Sequence, residues 1–281
     1  MTKVTKGLPS FTDPPLIEVV LSVQFEQLKN LQAAQIGLLW ANHYRDKYPI
    51  TEQHPPIAQA FEQFGEQRLE AIKIEVAQTT PNPRCWFINT EGTELIQIQN
   101  DRILHNWRKT SLGDDYPRYE LIREKYRHDL EEFIKFVDDE KIGNLVINQC
   151  EVTYINHISS AEQINTHIDT ANIFSNWESN YSDDFLWEPE SVRFSTQHII
   201  KDQSDEPLGR LHINIQPAFL SVDKKPIYVM TLISRGKPLS NDISGIFNFL
   251  DYGREIIVRA FKSTTTPRMH NIWNIEDDFN E

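Results

Sequence analysis

Between positions 102 and 123, Arg102, Arg108, Arg118 and Arg123 alternate with Trp107, Tyr116 and Tyr119. A guanidinium presents a planar fork of donors that fits the oxygens of a carboxylate or phosphate, and an aromatic face beside it takes a cation or the flat body of a ligand. The chemistry on offer is gripping an anion or a partner, because arginine does not release its proton near neutral pH. Two polar stripes accompany these residues. Gln97 and Gln99 alternate with Ile96 and Ile98, and Arg210, His212, Asn214 and Gln216 alternate with Leu211, Ile213 and Ile215. A period of two places polar and apolar side chains on opposite faces of a strand. Two readings stand side by side for both features. Arg118 and Arg123 either bind something or pair with Asp114, Asp115 or Glu120 while Trp107 and Tyr119 fill a core. The stripes are either one platform for a partner or the wet side of each sheet.

The rest of the chain offers little reaction chemistry. Asp114-Asp115, Asp138-Asp139-Glu140, Asp183-Asp184 and Asp277-Asp278 could be imagined as acid–base dyads, but adjacent side chains point apart on strands and loops. None of the nine histidines forms an H-E-x-x-H or H-x-H element, and the chain has neither a phosphate-cradling glycine loop nor a G-x-S-x-G elbow. The expectation is no catalytic residue, no metal and no cofactor, with a carboxylate-dependent nuclease as the lowest alternative.

A chain of 281 residues, 39% of them hydrophobic, can bury one large core or two smaller ones. Its formal charge of −13, from 41 acidic and 28 basic residues, disfavours nonspecific nucleic-acid or anionic-membrane binding and suits a basic protein partner. Cys85 and Cys150 read as reduced, buried thiols. Glu18 and Gln24 interrupt Leu16–Phe25, so no signal-peptide run follows the first residues, and no window is long enough to span a membrane. Cytoplasmic residence is the default expectation.

The elements that would position these side chains follow from periodicity. Leu16–Phe25 is strand-like, with Ile17, Val19, Leu21, Val23 and Phe25 on one face; Leu31–Tyr48 is an amphipathic helix ending before Pro49. Pro49–Phe64 reads as a loop with a helical turn at Ile57–Phe64. Strands are expected at Arg68–Val76, Arg84–Asn89 and Leu95–Arg108, the last a hairpin turning at Asn100-Asp101. That turn pairs Gln99 with Arg102, Ile98 with Ile103 and Ile96 with His105. It puts Ile96, Ile98, Ile103 and Trp107 on one face and Gln97, Gln99, Arg102, Asn106 and Arg108 on the other. Pro117 opens a long helix. In the second half Leu145–Ile158 is strand-like, Ala161–Trp177 weakly helical, Ser191–Ile200, Leu208–Gln216 and Pro226–Arg235 a meander, and Ile243–Phe261 a helix capped by Ser240 or Asn241. Met269–Ile275 is expected to dock back. The fold class is therefore α+β: two tandem β-α-β(3-4)-α modules, 1–142 and 143–281, each an antiparallel sheet backed by a long helix.

PPLIEVVLSVQF near the start, CWFINTEGTELIQIQNDRILHNWRK, the YPRY run at Tyr116–Tyr119 and a closing helix with a Trp-containing tail resemble a sporadically distributed bacterial family of unknown function. The resemblance spans most of the chain and is densest over Arg84–Tyr119. It implies no activity; patchy distribution accompanies mobile genes such as phage defence and toxin–antitoxin pairs. The first expectation is a non-enzymatic binding protein whose protein partner is encoded nearby, contacted through Gln97, Gln99, Arg102, Asn106, Arg108, Arg118, Arg123, Arg210, His212 and Asn214. The alternative is a sensor for a small anionic ligand or nucleotide, with a cavity between helix and sheet lined by Arg102, Arg108 or Arg118.

Overall fold

Leu16–Phe25, the β-branched run near the start, forms a strand at the middle of the molecule. In order along the computed structural model the elements are β1 (Ser10–Phe11), β2 (Leu16–Phe25), α1 (Ala33–Leu39, prolonged by a π-helical turn at Trp40–Tyr44), β3 (Ile50–His54), β4 (Arg84–Ile88), β5 (Glu94–Gln99), β6 (Arg102–Arg108) and α2 (Tyr119–Asp139). There follow β7 (Ile147–Ile158), α3 (Thr170–Ile173), β8 (Phe194–Lys201), β9 (Pro207–Phe219), β10 (Pro226–Gly236), α4 (Ile243–Thr264), α5 (Pro267–Ile272) and β11 (Ile275–Glu276). The structure describes residues 7–65, 82–111, 113–159, 167, 170–178, 183, 185–187, 189–202, 204–240 and 242–276. The strand expected at Arg68–Val76 lies outside them, as do Asn241 and much of the helix expected at Ala161–Trp177.

The class is α+β, with a difference in how the halves combine. Among the described residues nine strands form a single antiparallel sheet in the order β3-β4-β5-β6-β2-β7-β10-β9-β8, where the sequence suggested one sheet for each half. The joint is the β2–β7 pair, with Val19 opposite Tyr154, Leu21 opposite Val152 and Val23 opposite Cys150. The physical reason is edge protection. Separate sheets would leave strands of 10 and 12 apolar-rich residues as open edges, and pairing them removes both. Each half then follows the same path: its opening strand lies at the centre, its later strands return from the rim towards that strand, and its long helix comes last. The 142/143 division falls between α2 and β7, at this shared centre.

The hairpin forms in the expected register, Gln99 opposite Arg102, Ile98 opposite Ile103 and Ile96 opposite His105. Residues 50–64 differ from the expected loop and helical turn. Among the described residues Ile50–His54 is an edge strand of the sheet, between Pro49 and Pro55, and residues 55–64 are not helical. Proline suits such a rim because it cannot donate to a further strand.

Both long helices pack on one face of the sheet. From α2, Tyr126, Leu130 and Phe133 are buried, and from α4, Phe247, Leu250 and Ile257. Two side chains fasten the helices to each other: Arg123 holds Asp251 through Nε and Nη2 at 2.6 and 2.8 Å, and the Tyr119 hydroxyl donates to the same carboxylate at 2.9 Å. Asp242 caps α4 by accepting from the Gly245 N–H at 2.7 Å, while Ser240 donates to Asp242. The docked tail is present: Trp273 packs on Phe11 and Phe261, and β11 pairs with β1, joining the two ends of the chain. Among the described residues no helix is long and apolar enough to cross a membrane. Cys85 and Cys150 are buried, and burial pushes both thiols up.

Candidate binding sites on the two faces of the sheet

Strand alternation divides the arginine-rich group between opposite sides of the sheet. Gln97, Gln99, Arg102, Asn106 and Arg108 in the first half share the helix-free face with Arg210, His212 and Asn214 in the second, because β2 and β7 carry one sheet through both stripes. Arg118 and Arg123 belong to the helix side. In place of the ion pairs weighed for them, Arg123 forms one with Asp251, and Arg118 donates to the main-chain carbonyl of Phe11 at 3.1 Å. Trp107 and Tyr119 are buried as the core reading requires.

The polar face is hydrogen-bonded almost throughout. Gln97 accepts from Arg84 at 2.9 Å and donates to Asn106 at 2.8 Å, and Asn106 donates to Glu18 at 2.6 Å. Arg108 donates to the Gly92 carbonyl at 2.8 Å, and Asn214 accepts from Ser195 at 2.7 Å. Gln97, Gln99, Arg102 and Asn106 are at most 5% exposed, so the surface they were expected to offer is covered. What covers part of it is the chain itself.

Residues 55–64 lie across the strands as a strap. The Gln99 amide brackets Ile57, accepting from its N–H at 2.9 Å and donating to its carbonyl at 2.8 Å. Arg102 reaches the Ala58 carbonyl at 3.3 Å, and Gln24 accepts from the Ala60 N–H at 2.9 Å. Beyond these contacts Glu62, its side chain 4% exposed, enters a cationic seat. Arg210 and His212 both bond its carboxylate, His212 at 2.7 Å, and Arg235 approaches it at 3.4 Å. Arg235 is itself held by Glu151 at 2.5 Å.

Acid is expected to loosen this strap. Burial alone would raise the Glu62 carboxyl, but the hydrogen bonds and charges of His212 and Arg210 outweigh it and hold the group below its ordinary 4.5. A carboxyl depressed on folding stabilises fully above its ordinary value and loses that contribution as the pH falls through the lowered one. Amide exchange at Ile57 and Ala60, corrected for intrinsic rate, should therefore rise as the pH drops below about 4.5. In Glu62→Gln it should already be fast at neutral pH. Arg210, His212, Arg235 and Glu151 are the charged groups facing this site, and exchange flat with pH in the parent would refute the account.

On the helix side, a cavity of about 340 Å³ opens between the start of α2, the middle of α4 and the central strands. Its floor carries Tyr154 and Asn156 of β7, its walls Tyr116, Arg118 and Arg254, and its rim Phe11 and Glu276 of the paired chain ends. Tyr116 and Tyr154 bond through their hydroxyls at 3.1 Å. Burial pushes both phenols up, so each stays a neutral donor and acceptor. Asn156 is buried although it lies on the apolar face, with its amide donating to the Met230 carbonyl at 3.3 Å. Arg254 lies 5.3 Å over the Tyr119 ring and reaches Glu120 at 3.6 Å, while its Nε is buried with no hydrogen-bond partner among the described residues.

Arg118 sits just before α2 with φ 72° and ψ 152°. That region is essentially glycine's, and another residue there costs roughly 1–3 kcal/mol. The arginine is retained where a glycine would be easier, and its side chain points at this cavity and at the Phe11 carbonyl.

Arg254 escaped the sequence reading because it lies on a helix face already explained by packing; its approach to Tyr119 and Glu120 exists only in the folded chain. His105 and Asp129 were also missed. His105 Nδ1 lies 2.7 Å from Asp129 Oδ2, with the two side chains 0% and 2% exposed. The signal was there: pairing with Ile96 put His105 on the apolar face, and Asp129 falls between Tyr126 and Phe133. Among the described residues no group of three or more His, Cys, Asp or Glu could hold a metal ion. In comparisons with family models, curated proteins and solved structures, no match to the chain was found.

Proposed function

We propose that the protein binds a small anionic molecule in the cavity between α2, α4 and the central strands. The observation that carries this reading is the lining itself: two arginines, two hydroxyl-bonded tyrosines and a buried asparagine converge on about 340 Å³, with Glu120 and Glu276 also lining it and Glu120 within reach of Arg254. Small-molecule sites are mostly apolar clefts of roughly 300 Å³ or more with a few convergent polar groups. At about 30 Å³ per water-sized unit the volume suits roughly ten non-hydrogen atoms. An anion with one ring or a short chain fits, its charge between Arg254 and Arg118 and its body against Tyr116 and Phe11. Arg102 and Arg108, which the sequence offered for such a pocket, lie on the opposite face.

Thermal shift against a panel of aromatic carboxylates, short dicarboxylates and sugar or nucleoside phosphates tests the proposal. A ligand at about a hundred times its Kd adds about 2.7 kcal/mol of stability, a rise of roughly 5 °C or more for a chain of this size. Arg254→Met keeps the apolar stem but removes the charge, and should weaken binding at least about tenfold, given 1.5–3 kcal/mol for a charged hydrogen bond. Arg118→Gly should weaken it similarly with little change in unliganded Tm, since relief of the backbone roughly offsets the lost bond to Phe11. No shift with any anion, or shifts that persist in both variants, would sink the reading.

A further inference from the structure

On the face opposite the cavity, the mode by which residues 55–64 are held is the mode by which proteins hold peptides. Among the described residues, six hydrogen bonds outside the Glu62 seat come from Gln99 (twice), Arg102, Gln24, Gln59 and Arg210, and five of them go to the strap's own main chain: Ile57 N–H and carbonyl, Ala58 carbonyl, Ala60 N–H and Gln63 carbonyl. In the sixth, Gln59 of the strap donates to the Phe25 carbonyl. Main-chain recognition by side chains of the sheet is indifferent to most of the bound sequence. It asks only for an extended backbone, which Pro55-Pro56 favour. Among the described residues two side chains are read: the carboxylate of Glu62, by Arg210, His212 and Arg235, and the ring of Phe64, over which the Arg210 guanidinium lies at 5.0 Å. The outer side of the strap is wet. Pro55, Pro56, Ala58, Gln59 and Phe61 are exposed, so the segment rests on the sheet without being packed into it.

Geometry fits this reading. Ile57 to Glu62 spans about 17 Å of extended chain, and the four strand spacings from β5 to β10 span about 19 Å. The strap thus crosses the strands nearly straight, from the row Gln99–Arg102–Gln24 to the row Arg235–Arg210.

We infer that the polar face of the sheet is a peptide-binding groove, occupied in cis by residues 55–64, and that its occupant in trans is an extended acidic segment of a protein partner placing a carboxylate in the Arg210–His212–Arg235 seat. The charge argument selects the acidic class. In a chain of net charge −13, two arginines and the His212 imidazole converge on one buried carboxylate, and since among the described residues Glu151 pairs only with Arg235, a neutral or basic segment would leave Arg210 without a carboxylate partner. The strap then acts as a tethered competitor that sets a threshold for the partner.

The probe is a fluorescent peptide of residues 54–65 and its Glu62→Gln counterpart, measured by anisotropy against the full chain. The receptor is a variant with residues 55–64 replaced by a Gly/Ser run of equal length. It should bind the parent peptide in the micromolar range, bind the Gln peptide at least tenfold more weakly, and lose binding on Arg210→Ala. The unaltered chain should bind at least tenfold more weakly than the strap-replaced one. Should strap replacement prevent folding, the single variant Glu62→Gln in the intact chain must take up the parent peptide better than the unaltered chain does. No uptake by a folded receptor, uptake insensitive to the peptide's carboxylate, or equal uptake by the unaltered chain would overturn the inference. None of these readouts involves the cavity.

Discussion

His105→Ala is expected to cost about 3–5 kcal/mol and to lower the melting temperature by roughly 10 °C. His105 lies on the helix-facing side of β6, 2.7 Å from Asp129 on α2, and neither side chain reaches solvent. Its Nδ1 donates to the carboxylate, whose other nearby donor is the Tyr48 hydroxyl at 3.4 Å; the Tyr44 hydroxyl donates to the Asp129 main-chain carbonyl at 2.7 Å. Removing the imidazole leaves a carboxylate buried with one weak donor, and the cost is its lost solvation rather than the bond itself. Asp129→Ala should lose a similar amount, because it orphans the histidine and Tyr48 together. Replacing both residues by leucine should recover most of the loss, since apolar packing often substitutes for a buried polar pair at no net cost. Chemical denaturation of the two single variants and the double variant measures the cycle. A His105→Ala loss below about 1 kcal/mol would mean that water reaches the site.

Gly236→Ala is expected to destabilise by at least about 3 kcal/mol, at the upper end for overpacking, although it adds one methyl group. Gly236 in β10 stands opposite Gly209 in β9, under Phe249 of α4. A methyl on Gly236 would lie 2.6 Å from both the Leu208 carbonyl oxygen and a Phe249 ring carbon, and 2.8 Å from the Gly209 Cα. Main-chain atoms in a hydrogen-bonded ladder cannot rotate away as a flexible side chain can, so the helix or the strand pair has to move. Gly209→Ala should behave alike, its methyl 2.4 Å from the Arg235 carbonyl oxygen. The double variant should cost less than the sum, since one displacement of α4 and the strands relieves both clashes. Additive losses would show that the two contacts relax independently.

Apolar periodicity by itself determined most of the described strands and helices, though not β3 or the non-helical course of residues 55–64, and with them the register of the Leu95–Arg108 hairpin and the buried stripes of α2 and α4, because each is a property of one segment and its polar alternation. It also determined which side of each strand stays out of the core. Who sits beside whom was decided by tertiary structure. Ladder hydrogen bonds are alike for every pair of strands, so nothing in Leu16–Phe25 marks Ile147–Ile158 as its neighbour; burying two long edges at once selects that pairing, and only the whole chain supplies it. The same holds for the sites. Alternation marks Gln99, Arg102 and Arg210 as polar, but whether water, a partner or the chain's own Glu62 satisfies them depends on where residues 55–64 come to rest. Arg118 and Arg254 face one cavity because two helices from opposite ends of the sequence share one face of one sheet. Side-chain chemistry is written residue by residue, whereas proximity is a result of minimising exposed edge and apolar area over the entire molecule.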